Sequence, residues 1–124
     1  MSVILVDHAS GRDLQVNGWN WGVLHAIVEA GHVLPTELWT PARWAGCGAK
    51  LEPTDVRALV LFLETRVLEQ LRPGDRIDNE FTITAAPKDR RLRFDGQQNY
   101  SLERHVLDVV VEFLRAAGGA MSIR

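Results

Sequence analysis

The sequence predicts an α+β fold in a single domain over residues 1–124, and three observations predict it. Two long segments carry apolar residues at helical spacing, one stretch alternates with a period of two, and the chain contains no repeat, linker or low-complexity run. Of its 124 residues, 46% are apolar and 24% charged, the proportions of a folded globular domain. A chain of this size buries roughly two-thirds of its unfolded surface, enough for a core without disulfides or metal.

Taken in order, the run Val3–Val6, bounded by Asp7, Ser10 and Gly11, reads as a strand over about 3–7 ending in a turn. Gln15–Asn17 forms a second extended piece before Gly18. Trp21, Leu24, Ile27 and Val28 then recur at helical spacing, which predicts a first helix over about 19–30. Gly31 follows where a left-handed residue commonly ends a helix. Residues from His32 to Leu51 are broken by Pro35 and Pro41 and punctuated by Gly46 and Gly48. They form a long connection with one helical turn near Thr36–Trp39, packed on the body because Trp39 and Trp44 are costly to leave in water.

A second helix over about 54–72 has the clearest pattern. Pro53 suits its first position and Asp55 puts negative charge in its first turn. Val56, Leu59, Val60, Leu63, Val67 and Leu71 form one stripe, widened by Leu61, Phe62 and Leu68, and Pro73-Gly74 stops it. Ile77–Ala86 alternates as a half-exposed strand over about 77–86, and a partner strand over about 91–94 follows through Pro87–Arg90. A third helix over about 102–117 carries Leu102, Val106, Val109, Val110, Phe113 and Leu114. Gly118-Gly119 ends it and leaves 120–123 for a last strand. The expected architecture is three helices on one small, mostly antiparallel sheet. Helices so widely apolar pack on each other or present a face to a partner.

Charge excludes some function classes. With 14 basic and 16 acidic residues the net charge is −2, which gives no overall field toward nucleic acid or an anionic membrane. The one basic cluster, Lys88, Arg90, Arg91 and Arg93, is diluted by Asp89 and Asp95 and reads as a solvated hairpin edge. No stretch approaches the ~18 apolar residues of a membrane span, and the amino terminus has no basic region leading a signal-peptide core. The lone Cys47 can form no intramolecular disulfide, which suits the cytoplasm. Neither nucleic-acid nor membrane binding is therefore expected.

Candidate chemistry is sparse. His25, Glu29 and His32 would place two imidazoles and a carboxylate on one helical face, a zinc-type set. Gly31 ends the helix before His32 and breaks that geometry, so neither a metal nor a cofactor is expected. Cys47 stands in Trp44-Ala45-Gly46-Cys47-Gly48, near a helix N-terminus where a thiol can be activated, but no spacing ties it to His8, His25, His32 or His105. There is no phosphate-binding glycine motif and no nucleophile elbow. No catalytic residue is assigned.

Tryptophan is the distinctive feature. Trp19 and Trp21 stand two apart, so on a helix they point about 200° from one another, one to the core and one outward. Base rates nevertheless favour the reading that all four tryptophans are core residues. With Trp39 and Trp44 they are candidates for lining a pocket or anchoring a protein interface. Asn17, Asn20 and Tyr100 add amide and phenol groups at element ends. The candidate binding residues are thus Asn17, Trp19, Asn20, Trp39, Trp44, Cys47 and Tyr100.

Asn17-Gly18-Trp19-Asn20-Trp21, Gly46-Cys47-Gly48-Ala49, and Asn99-Tyr100-Ser101 leading to Phe113 and Gly118-Gly119 resemble a group of small, uncharacterised bacterial proteins. The resemblance covers nearly the whole chain and implies no catalytic residues. In size and style the domain also resembles the immunity proteins that neutralise bacterial toxins, with no diagnostic motif behind the likeness. The function these readings favour is a non-catalytic protein-binding module, toxin-neutralising in kind, whose partner is a second protein or a second copy of the chain. The alternative is a small-molecule-binding domain or modest enzyme with a Trp/Asn-lined pocket around Cys47.

Overall fold

The computed structural model describes residues 2–44, 46, 48–85 and 101–124, and among these residues seven short strands and four α-helices form an α+β architecture. In chain order these are β1 (Ser2–Asp7), β2 (Asp13–Asn17), α1 (Gly18–Ala30), α2 (Thr36–Trp39), β3 (Ala49–Leu51), α3 (Pro53–Phe62), β4 (Arg76–Asp78), β5 (Ile83–Thr84), β6 (Ser101–Glu103), α4 (Arg104–Ala116) and β7 (Met121–Ile123). The strands form two antiparallel sheets rather than the single sheet expected from the sequence. One has the order β2-β1-β7-β3 and the other β5-β4-β6.

The larger sheet buries one face only. Val3 and Leu5 of β1, Val16 of β2, Leu51 of β3 and Met121 and Ile123 of β7 point into the core. Their alternates, such as Ile4 and Lys50, point out, as a period of two requires. The helices cover the inner face through Trp21, Leu24, Ile27 and Val28 of α1, Val56 and Leu59 of α3, and Leu107, Val110, Val111 and Leu114 of α4. The wide apolar faces of α3 and α4 pack on each other, although Leu61 and Val109 remain exposed.

The second predicted helix changes geometry part-way. α3 gives way to a wide π-type turn over Leu63–Val67 and a 3₁₀ turn over Leu68–Gln70, so the helical run ends two residues before the expected 72. Leu59, Leu63, Val67 and Leu71 are all buried at four-residue spacing. On a regular helix such spacing drifts about 40° per step. Under-winding the chain keeps these residues on one face.

Three further expectations are corrected. The strand predicted over 77–86 is a tight hairpin, β4 and β5, because the Asp78 carboxylate accepts the N–H groups of Glu80 and Thr82, each at 2.9 Å, and Phe81 takes a left-handed φ of 64°. Helix α4 starts at Arg104 rather than 102. Ser101–Glu103 is instead a strand because the buried Arg76 draws it against β4, donating to Ser101 Oγ at 2.6 Å and to its carbonyl at 2.9 Å. Gly31 is right-handed, with φ −78°, and His32 takes the left-handed position with φ 50°. Gly31 serves close packing instead, since a Cβ there would lie 2.5 Å from Phe62 Cζ. The single helical turn expected near Thr36–Trp39 is present as α2. The strand expected over 91–94 lies outside the described residues, whereas the last strand appears as β7.

Candidate binding groove

Asn17 starts the site. Its extended backbone leaves β2, and its Oδ1 accepts the N–H of Asn20 at 2.9 Å, capping α1. From this cap Trp19, Gly22, Ala26 and Glu29 recur every three or four residues along one stripe of α1 and form a wall of a groove of about 490 Å³. Gly22 and Ala26 leave the wall low in its middle, and Trp19 rises at its end. Thr40, Arg43 and Trp44 form the facing wall, and Asn79 reaches the groove from the β4–β5 turn.

Two buried tryptophans hold those walls in place. Trp39 packs under the groove with its Nε1–H donating to the His25 carbonyl at 3.0 Å. His25 returns the bond, its Nε2–H donating to the Trp39 carbonyl at 2.6 Å, and the two rings stack 4.9 Å apart at 7°. Trp21 lies against Trp39 at 5.8 Å, and its Nε1–H donates to the Ala42 carbonyl at 2.9 Å. Each buried indole therefore has its polar atom satisfied by the backbone of the opposite segment. The segment Thr36–Arg43 is clamped onto α1 in this way, although proline and a 3₁₀ turn interrupt it. Thr40 adds a surface tie by donating to Glu29 Oε2 at 3.2 Å.

Trp19 and Trp44 face solvent at 56% and 58% exposure. The Arg43 guanidinium lies 5.1 Å from the centre of the Trp44 ring, within cation–π range. Burial lowers the pKa of His25, opposed by its bond to the Trp39 carbonyl and by the charge of Glu29, while Arg43 lowers it further. His25 thus lies on the groove floor with Nε2–H as its donor, and burial disfavours its charged form.

The candidate residues divide. Trp19 and Trp44 come together on the groove, and Trp39 supports it from the core. The expectation that all four tryptophans are core residues is thereby corrected: Trp19 and Trp44 lie outside the core, Trp19 because helical spacing turns it away from the buried Trp21. Asn17 is a helix cap, and it and Asn20 border a different depression between β2 and α4. Cys47 and Tyr100 lie outside the described residues, as does the cluster of Lys88, Arg90, Arg91 and Arg93. Among the described residues no group of His, Cys, Asp and Glu could hold a metal ion, and His32 has left the helix that carries His25 and Glu29. His8 hydrogen-bonds with Ser122 on the sheet, and His105 is exposed on α4.

Sequence reading missed Gly22, Ala26, Thr40, Arg43 and Asn79 as lining residues. The first two had a legible signal, since Gly18-x3-Gly22-x3-Ala26 is a stripe of small residues beside the apolar one. The other three depend on how the connection folds. No helix among the described residues is long and apolar enough to cross a membrane. Comparison with known protein families, curated proteins and solved structures finds no match for this chain.

Proposed function

We propose that this chain is a non-catalytic, cytoplasmic protein-binding module that engages its partner through the Trp19–Trp44 groove. The carrying observation is a pair of tryptophans, each more than half exposed, on facing walls fixed by two buried ones. Tryptophan is the residue type most enriched at binding hot spots, and a rigid platform lowers the entropic cost of docking. A toxin is the partner we place first, by analogy with small neutralising domains of similar size and style. One cysteine in 124 residues supports the reducing compartment.

A small polar ligand is the second reading, favoured by the groove volume of about 490 Å³ and the buried His25 on its floor. Small-molecule sites bury most of their ligand, whereas walls this exposed favour a larger partner.

The test uses immobilised wild type, Trp19→Ala/Trp44→Ala and Leu61→Ala, each exposed to lysate of the source organism. Leu61 is a control, exposed on α3 away from the groove. A stoichiometric partner retained by wild type and Leu61→Ala but lost by the double variant supports the proposal. Equal retention by all three, or no stoichiometric partner, refutes it. A thermal shift of wild type with a low-molecular-mass lysate fraction, absent in the double variant, would favour the second reading.

A further inference from the structure

The floor of the Trp19–Trp44 groove carries a buried acceptor that the fold leaves unused. His25 lines the groove at only 3% exposure. Its Nε2 meets the Trp39 carbonyl at 2.6 Å, and a carbonyl can only accept, so the ring proton sits on Nε2. Burial disfavours a second ring proton. Nδ1 therefore keeps its lone pair, and among the described residues nothing donates to it. An acceptor left without a partner in so buried a ring gains most from a donor that a ligand brings.

The charge nearest this atom along α1 is negative. Glu29 follows His25 by four residues, so the two share one helical face with Cβ atoms about 5–6 Å apart. Thr40 donates to Glu29 Oε2 at 3.2 Å and orients the carboxylate, while Oε1 takes no bond among the described residues. Arg43, the cation among the described lining residues, stands exposed on the facing wall with its guanidinium over the Trp44 ring. An anion reaching the floor would set its own lone pairs against that of Nδ1 and against the Glu29 carboxylate. A donor-rich cation meets two acceptors there.

We infer that the partner anchors in this groove through an arginine side chain, whose guanidinium donates to His25 Nδ1 and to the Glu29 carboxylate and lies flat against an exposed indole. The inference rests on the groove being the binding site proposed above. Arginine suits the site better than lysine. Its planar fork presents five N–H groups at fixed angles, so it serves two acceptors one helical turn apart while its face stacks on a ring. An ammonium is a strongly hydrated point charge without a flat face. Gly22 and Ala26 keep the α1 wall low and leave room for a long side chain beside Trp19. Arginine and tryptophan are also residue types that dominate interface hot spots.

The probe is a capped pentapeptide of four alanines around a central arginine, with citrulline and lysine counterparts. Each is titrated into wild type, Glu29→Gln, Arg43→Gln, Trp19→Ala/Trp44→Ala and Leu61→Ala, followed by indole fluorescence and by the histidine ring nitrogens in NMR. Circular dichroism confirms that each variant folds. Wild type is expected to bind the arginine peptide saturably, with a shift at His25 Nδ1, and to bind the citrulline peptide about tenfold more weakly or less. Glu29→Gln and the double tryptophan variant should each lose about tenfold or more. Arg43→Gln removes a like charge and should bind no more weakly, and Leu61→Ala should match wild type. Absence of saturable binding overturns the inference, as does equal binding of the citrulline or lysine peptide. Binding that requires Arg43 but not Glu29, or that survives loss of both tryptophans, overturns it too. The lysate assay separates this inference from the reading beneath it. A partner lost by the double tryptophan variant but kept by Glu29→Gln sustains the groove and overturns the arginine anchor, whereas a partner indifferent to the tryptophans overturns the groove itself.

Discussion

Replacing Gly31 by alanine tests the contact between the end of α1 and α3. The backbone there, φ −78° and ψ −7°, accepts alanine without strain. In the unfolded chain alanine is less free than glycine, which alone would stabilise the protein by about 0.4–1 kcal/mol. The obstacle is space. An added Cβ would stand 2.5 Å from Cζ, 2.6 Å from Cε2 and 3.3 Å from Cε1 of Phe62. Carbon atoms in contact rest about 3.5–4 Å apart, so the ring must retreat by roughly 1 Å. Phe62 is packed against the core, and overpacking of this kind costs about 1–3 kcal/mol. The net expectation is a loss of about 1 kcal/mol, a fall of roughly 4 °C in Tm for a domain of this size. Thermal and urea unfolding of wild type, Gly31→Ala, Phe62→Leu and the double variant close a cycle. In the Phe62→Leu background the same Gly31→Ala change should be neutral or stabilising, giving a coupling of about 1–2 kcal/mol. A Gly31→Ala protein more stable than wild type would refute the packing argument.

His25 should make stability depend on pH. Its folded pKa lies below the ordinary 6.5, mainly through burial, so the unfolded chain takes up a proton that the folded one resists. That contribution is complete above about pH 6.5 and is lost as pH falls below it. The Tm of wild type should therefore drop below that point more steeply than that of His25→Gln, and parallel profiles would count against the buried neutral imidazole. His32 holds a left-handed backbone at φ 50°, a conformation costing a non-glycine residue about 1–2 kcal/mol. After allowance for glycine's greater freedom when unfolded, His32→Gly should gain up to about 1 kcal/mol by urea denaturation, and a loss would mean that the imidazole makes a compensating contact.

What could be read in the sequence was whatever depends on a short-range period. Trp21, Leu24, Ile27 and Val28 locate α1, and the four-residue spacing of Leu59, Leu63, Val67 and Leu71 locates a helical run, though not its wide turn. The errors arose where a polar side chain overrides the period. The alternation over 77–86 is genuine as a pattern, yet the Asp78 carboxylate folds it into a hairpin by taking two backbone N–H groups. Leu102 fits the stripe of α4, yet the guanidinium of Arg76, distant in sequence, makes its neighbours a strand. At the groove, helical geometry alone separates Trp19 from Trp21. The choice between Trp39 and Trp44 depends on the irregular segment between them, for which no period exists.

That division of the tryptophans bears on function through its energetics. Burying a large aromatic side chain is among the strongest contributions a small core can receive. Trp21 and Trp39 provide it, and their indole N–H groups also hold a proline-interrupted segment that has little regular structure of its own. Trp19 and Trp44, at 56% and 58% exposure, leave most of that contribution unrealised in the isolated chain. Their placement on facing walls, with Arg43 over one ring and small residues between, makes the unrealised burial available to something outside the fold. A surface of this kind gains most from a partner broad enough to cover both rings at once. That requirement favours a protein over a small ligand, and it is why both tryptophans must be removed together in the decisive variant.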